Sequence, residues 1–405
     1  MNRRTLLALV LPLILSASAP AYAADSAAIA KRRTILTPAN RVQSFRTMDT
    51  VFPFHVIERG GPVAVLPGGG QKLEVIYNFN GKHKTLDDLL ARTRTQGFLV
   101  IKDGKIVDER YFNGADDKTR FTSWSVAKSF TSTLVGLALA DGKIKSLDDP
   151  VTKYLPELKG SGYDGVPIKD LLEMSSGVKF TEDYTDNKSD VQIMWDKTMT
   201  EQSETLDQYA KTLRRGTEKP GTKFVYRSVD TAVLGILIKR VTGMPMATML
   251  SDRIWKPLGM EQDATWLTDG PGPNATEAGY CCINATLRDY GRFGLLFLHE
   301  GKVGDKQIVP ASWIKLATNP QGSQVGWGHL SPGDPGAYGY QWWLIYPGEG
   351  HAYSAEGVFF QFIYVSPKYN MVIVKTSAYD DFWDDQLGIE QLVAFDALGQ
   401  VLNKH

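Results

Sequence analysis

Apolar and polar positions divide the chain into two strand-rich ends and a helical middle. Phe98-Leu99-Val100-Ile101 and Ile106 to Phe112 are β-rich runs on either side of Asp103-Gly104, a dipeptide suited to the positive φ angles of a tight turn, and they predict a hairpin. Just before it, Leu86 to Arg94 predicts a short helix capped by Thr85. Far downstream, Gly339-Tyr340-Gln341-Trp342-Trp343-Leu344-Ile345-Tyr346, Phe359 to Val365 and Met371 to Lys375 predict three more strands. Ser366-Pro367-Lys368-Tyr369-Asn370 joins the last two, and Gln386 to Asn403 predicts a closing helix. From about Asp148 to His299, helical patterns such as Thr231 to Val241 dominate. The pattern implies an α/β (α+β) domain over residues 97–405. One lobe is built from about 97–147 and 300–405, and a helical lobe of about 148–299 is inserted between them. Residues 24–96 read as an extension leading into that domain, and the cleft between lobes is a usual place for a small-molecule site.

One segment breaks the amphipathic rule. Phe121 to Ala140, bounded by Arg120 and Asp141, is apolar nearly all round and carries Lys128 as its only charge, with Gly142 placed to end it. Such a helix belongs in the interior. There an ammonium is costly unless its pKa falls, which makes Lys128 a candidate base near neutral pH. Ser125 lies three residues earlier on the same face. With Thr122 or Ser123 as N-cap, Ser125 falls in the first turn, where its backbone N–H is free to face a developing oxyanion.

Composition narrows the partners. The 405 residues hold 45 Lys+Arg against 45 Asp+Glu, with 43% hydrophobic content, a globular profile without the positive field that a nucleic acid requires. Met1 to Ala23 reads as a signal peptide, with Arg3 and Arg4, an apolar stretch from Leu6 to Leu15 and the small-x-small pattern Ala21-Tyr22-Ala23. A periplasmic or secreted bacterial protein is expected, by either the general or the twin-arginine route, with no membrane span once the signal is removed. Cys281 and Cys282 are adjacent, and a disulfide between neighbours closes a tight ring, so both are expected as small buried residues without a bridge. His55, His83, His299, His329, His351 and His405 show no metal-binding spacing, and no phosphate-loop or dinucleotide fingerprint occurs, so neither metal nor cofactor is expected.

The S-x-x-K pattern occurs three times, as Ser125/Lys128, Ser176/Lys179 and Ser312/Lys315. Ser176-Gly177-Val178-Lys179 lies in a Ser-rich turn, and Ser312-Trp313-Ile314-Lys315 opens an amphipathic helix whose Lys reaches solvent, so context favours the first. A second element, Tyr226-Arg227-Ser228, follows the turn Pro220-Gly221-Thr222 and precedes a helix. The pairing of Ser125-Val-Ala-Lys128 with Tyr226-Arg-Ser228 resembles the penicillin-binding protein and class C β-lactamase superfamily of serine hydrolases. Further matching stretches are Leu147 to Pro156, Ile168 to Gly177, Trp255 to Met260 and Thr286 to Gly294. The chain is most similar to the 6-aminohexanoate-dimer hydrolase branch, which holds nylon-oligomer amidases and carboxylesterases. Where β-lactamases carry Lys-Thr-Gly, this chain has Ala355-Glu356-Gly357-Val358, and Ala355 cannot supply the cation that meets a substrate carboxylate.

The resemblance implies a β-lactamase/transpeptidase-like fold, an antiparallel sheet flanked by helices. It also implies that Tyr226 joins Ser125 and Lys128 in catalysis and that Val358 gives the second oxyanion N–H, while Tyr184, Ser228 and Gly357 contact a small amide or ester substrate. Ser228 replaces the commoner Asn of Tyr-x-Asn, and Phe360, standing where relatives often have Gly, is expected to narrow the groove. Trp342 and Trp343 read as strand packing rather than a substrate platform. The expected reaction is a two-step acyl transfer through Ser125, with either Lys128 or the phenolate of Tyr226 as base. Two alternatives stand beside it, a D-Ala-D-Ala carboxypeptidase or β-lactamase, disfavoured by Ala355, and a catalytically silent wall-binding protein, disfavoured by the intact Ser125, Lys128 and Tyr226. A Ser-His-Asp hydrolase is opposed by the absence of a G-x-S-x-G elbow.

Overall fold

The computed structural model describes residues 24–404, so the segment read as a signal peptide, residues 1–23, lies outside it. Its centre is a seven-stranded antiparallel sheet in the order Ala337–Tyr338, Trp343–Ile345, Ala352–Gly357, Gln361–Ser366, Met371–Ser377, Thr95–Lys102, Lys105–Tyr111. Residues from both ends of the sequence therefore meet in one sheet, with Val100 opposite Ile373 and Leu99 opposite Val374. Asp103 and Gly104 turn the hairpin with φ of 50° and 74°, the left-handed geometry expected of that dipeptide.

Each face of the sheet carries a helix. Leu287–Leu298, capped by the Thr286 side chain, lies on one face, where Gly294 approaches so closely that an added Cβ would stand 2.5 Å from Val372 Cγ1. Asp385–Leu402 covers the other face, seating Phe395 and Leu398 against Phe362, Tyr364 and Ile373. Lys375 and Phe360 also lie on this second side, with the ammonium 5.7 Å from the ring. Phe360 is fully buried there, among Phe362, Tyr379 and Trp383, so it does not narrow the groove as the sequence suggested.

The segment read as helical supplies Ser228–Thr242, closed by Gly243 in the left-handed conformation. It also contributes Ala264–Leu267 and Ile283–Thr286 to a second sheet, of order Phe54–Ile57, Ala264–Leu267, Ile283–Thr286, Arg120–Thr122. The run Gly339 to Tyr346 is not one strand. It folds back between Ala337–Tyr338 and Trp343–Ile345, with Gln341 at φ 65°. The Gln341 amide is the reason: its oxygen accepts from Thr231 Oγ1 at 2.6 Å and its nitrogen donates to the Leu172 carbonyl at 2.8 Å, satisfying buried groups a regular strand would leave unpaired. Among the described residues no single helix is long and apolar enough to cross a membrane.

Candidate active site

The apolar segment forms a helix at Ala127–Ala140, almost wholly buried as its composition requires. Its hydroxyls bind neighbouring loops instead of water: Ser129 and Ser132 donate to the carbonyls of Gln341 and Tyr340 at 2.6 and 2.7 Å, and Thr131 donates to Gly279 at 2.6 Å. Ser125 stands just ahead, in a single 3-10 turn, Trp124–Val126, rather than in the first α-helical turn. Trp124 has φ 44°, an unfavourable angle for a bulky residue, and is held there by packing against Phe45, Phe359 and Trp195.

Lys128 is 2% exposed, and its Nζ makes three polar contacts. It lies 2.9 Å from Ser125 Oγ and 3.0 Å from both Ser228 Oγ and the Tyr280 carbonyl oxygen. Among the described residues no carboxylate pairs with it directly. The nearest relevant acid is Glu182, which accepts from the Ser228 hydroxyl at 2.5 Å, the Ser228 N–H at 2.9 Å and the Tyr184 hydroxyl at 2.6 Å. Burial pushes the Lys128 ammonium down to about 7, with the Glu182 charge pulling weakly the other way. Burial, reinforced by Glu182, raises the Tyr226 phenol well above its ordinary value, and the Ser125 hydroxyl opposes that rise. Both groups are thus driven towards their neutral forms.

Tyr226 lies with its ring centroid 4.8 Å from Lys128 Nζ and stacks on Trp343 at 5.7 Å. Tyr184 stacks on Phe382 at 5.3 Å, so its hydroxyl is engaged by Glu182 and its ring forms part of the wall. Gly357 closes the arrangement. A Cβ on it would stand 2.7 Å from the Ser123 carbonyl and 3.1 Å from the Ser125 nitrogen, so only glycine lets the strand Ala352–Gly357, with Val358 next in sequence, lie against the turn of the serine.

The structure therefore gathers Ser125, Lys128, Tyr226, Ser228, Tyr184 and Gly357 in one place, with Val358 at the end of the adjoining strand. The other two S-x-x-K pairs stay apart: Ser176 is buried while Lys179 is exposed, and Ser312 and Lys315 are both exposed on Ala311–Ala317. Trp342 is core packing, fully buried 4.3 Å from Phe297, whereas Trp343 belongs to the site through Tyr226. Sequence reasoning gave no role to Glu182, although its place two residues before Tyr184 was a usable signal.

The two cysteines are buried as expected, but they are joined in a disulfide, which corrects the sequence reading. Cys282 takes φ 74° and the two Cα atoms lie 3.7 Å apart, so a left-handed residue accommodates the tight ring. The bridge follows Tyr280, whose carbonyl holds Lys128.

The β-lactamase family profile matches residues 83–394, and the chain belongs to that family of serine hydrolases. It is 32% identical over 303 residues to the 6-aminohexanoate-dimer hydrolase of Paenarthrobacter ureafaciens, spanning 73% of this chain and 76% of that one. A Bacillus anthracis structure assigned as a 6-aminohexanoate-dimer hydrolase superposes with TM-score 0.81 at 26% identity, over 91% of this chain and 96% of that one. A likeness in fold alone extends to EstCE1, a hydrolase with promiscuous acyltransferase activity, at TM-score 0.61 and 17% identity, over 77% of this chain and 96% of that one.

Proposed function

We propose that the protein hydrolyses amide or ester bonds of small substrates through an acyl-enzyme on Ser125. The observation that carries this reading is the set of partners around Lys128. The Tyr280 carbonyl can only accept, and the hydroxyl hydrogen of Ser228 is committed to Glu182, so Ser228 also accepts from the amine. A neutral amine has two hydrogens for these two oxygens and one lone pair left, which faces the Ser125 hydroxyl at 2.9 Å. Lys128 is then the base and Tyr226 stays a protonated phenol. This choice of base follows from burial, which disfavours both an ammonium and a phenolate here.

In the forward step Lys128 takes the Ser125 proton as Oγ attacks the carbonyl carbon. The N–H groups of Ser125 and Val358 receive the developing oxyanion, and Tyr226 passes a proton to the departing amine or alcohol while recovering one from Lys128. Water then attacks the acyl-enzyme by the same relay in reverse, releasing the acid. The chemistry named for the Paenarthrobacter relative, hydrolysis of an aminohexanoate dimer, falls within this class of reaction.

Intact-mass labelling with a fluorophosphonate, and separately with a penicillin, tests the proposal. One fluorophosphonate adduct on the wild type, lost in Ser125→Ala and Lys128→Ala, with no stable penicillin adduct, is the expected result. A lasting penicillin adduct would move the function to cell-wall peptidase chemistry, and adducts that persist in Ser125→Ala would remove Ser125 as nucleophile.

A further inference from the structure

Glu356 is the one acidic residue on the strand that lies against Ser125. Within Ala352–Gly357, side chains alternate between faces, so Glu356 shares a face with Ser354, and the Ser354 hydroxyl donates to its carboxylate. Ser354 is the register partner of Trp343, which places all three side chains on one face of the sheet, and Trp343 is the residue stacked on Tyr226. Tyr338 meets Trp343 edge-on at 5.0 Å, and Phe224 packs 5.1 Å from Tyr338. The result is a carboxylate on the sheet face of Trp343, whose aromatic neighbours are Tyr226 and Tyr338, with Phe224 beyond, and next in sequence to Gly357, where an added Cβ would stand 3.1 Å from the Ser125 nitrogen.

The local electrostatics are one-sided. Glu356 is half-buried, and burial raises its carboxyl to about 7, with Ser354 opposing and Asp334 adding to the rise. Its negative charge is also felt by both Tyr226 and Tyr338. Among the described residues no lysine or arginine pairs with Glu356, whereas Glu109, Glu261 and Glu390 each hold an arginine. A half-buried carboxylate without a cation, flanked by aromatic faces, has the composition of a site for a positively charged nitrogen.

We propose that Glu356 determines specificity at the leaving-group end of the groove, selecting amides and esters whose departing amine or alcohol carries a cationic nitrogen and rejecting those whose departing part carries a carboxylate. The inference rests on the proposed role of Tyr226, because Tyr226 protonates the leaving group and Glu356 stands on the Tyr226 side of Ser125. Coulomb attraction and the π faces of Tyr226 and Trp343 act together on an ammonium there, and the same carboxylate repels an anion.

The test is a set of esters sharing one acyl group, with a 2-(trimethylammonio)ethyl, an isosteric 3,3-dimethylbutyl or a carboxymethyl leaving group. The readout is each variant's own ratio of kcat/KM values, cationic over neutral and anionic over neutral, for wild type, Glu356→Gln and Glu356→Lys. The wild type is expected to favour the cationic ester by about ten- to a hundredfold. Glu356→Gln should bring that ratio near one, and Glu356→Lys should raise the anionic ratio above it. A wild-type ratio near one, or a ratio unchanged in Glu356→Gln, overturns the assignment while leaving Ser125 chemistry intact. Turnover of the neutral ester that survives in Ser125→Ala overturns the underlying function instead. The wild-type ratio needs no variant, so a misfolded substitution leaves the proposal falsifiable.

Discussion

Glu182 grips Ser228 at two points, taking its backbone N–H at 2.9 Å and its hydroxyl at 2.5 Å. The grip aims the Ser228 oxygen at Lys128 and fixes which way the amine can turn. Glu182 acts through Ser228 and is a positioning residue, so Glu182→Gln should lower kcat/KM by about 10- to 100-fold, most of it in kcat. It should also leave a signature that a packing role would not. The Glu182 charge holds the Lys128 pKa up, so its removal should move the acid limb of the pH–rate profile to lower pH. An unchanged limb would show that Glu182 exerts no electrostatic hold on the base.

The base itself predicts a pH dependence. Lys128 must be neutral to accept a proton, and its ammonium is depressed to about 7, so kcat/KM should rise with pH and level off above that value. A profile still rising towards pH 10 would place the proton acceptor elsewhere.

Stability should move in the opposite sense to activity at the same position. Folded Lys128 releases its proton near 7, while in the unfolded chain it holds the proton up to its ordinary value of 10.5. The unfolded state therefore binds more protons between those limits, and the cost of burying this group is full below about 7 and fades as pH rises through the window. Lys128→Met should abolish turnover yet raise Tm by several degrees at neutral pH, with the gain shrinking towards pH 10. Thermal scans across pH would expose a wrong sign directly.

Gly357 offers a steric test. A methyl group there would press on the Ser123 carbonyl at 2.7 Å and the Ser125 nitrogen at 3.1 Å, forcing the strand away from the serine. Gly357→Ala should cost about 100- to 1,000-fold in kcat, the loss of one oxyanion donor, with a smaller effect on KM. Equal losses in stability and activity would instead point to general unfolding.

The disulfide is testable by mass alone. Both cysteines are buried and bridged, so iodoacetamide should add nothing to the native or the denatured chain until a reductant is supplied, and two adducts thereafter. Labelling of the unreduced, denatured protein would mean that the thiols are free.

Much of this site was readable in the sequence because it is local. Ser125 and Lys128 lie three residues apart, and an apolar run with a single charge marks that stretch for the interior. Contacts across long separations were harder. Glu182 reaches Ser228 over 46 residues, and nothing in either segment declares the other. Gln341 looked like a strand residue until its amide was seen to bind Thr231 and Leu172, a tertiary demand that overrides β propensity. Phe360 was placed in the groove because relatives often have Gly at that position, but its ring is buried among Phe362, Tyr379 and Trp383. Backbone handedness at single residues such as Trp124, Cys282 and Phe360 is set by packing, and a residue type other than glycine gives no sign of it.

The strand order has a consequence for synthesis. Ser125, Lys128 and Tyr226 are all made before Ala352–Gly357, and that strand reaches the hairpin Thr95–Tyr111 only through Gln361–Ser366 and Met371–Ser377. A growing or prematurely ended chain thus holds its proposed nucleophile and base without the edge that completes them. Turnover then certifies that translation ran past Ser377, and every fragment stopping short of it should be silent whatever else it has folded.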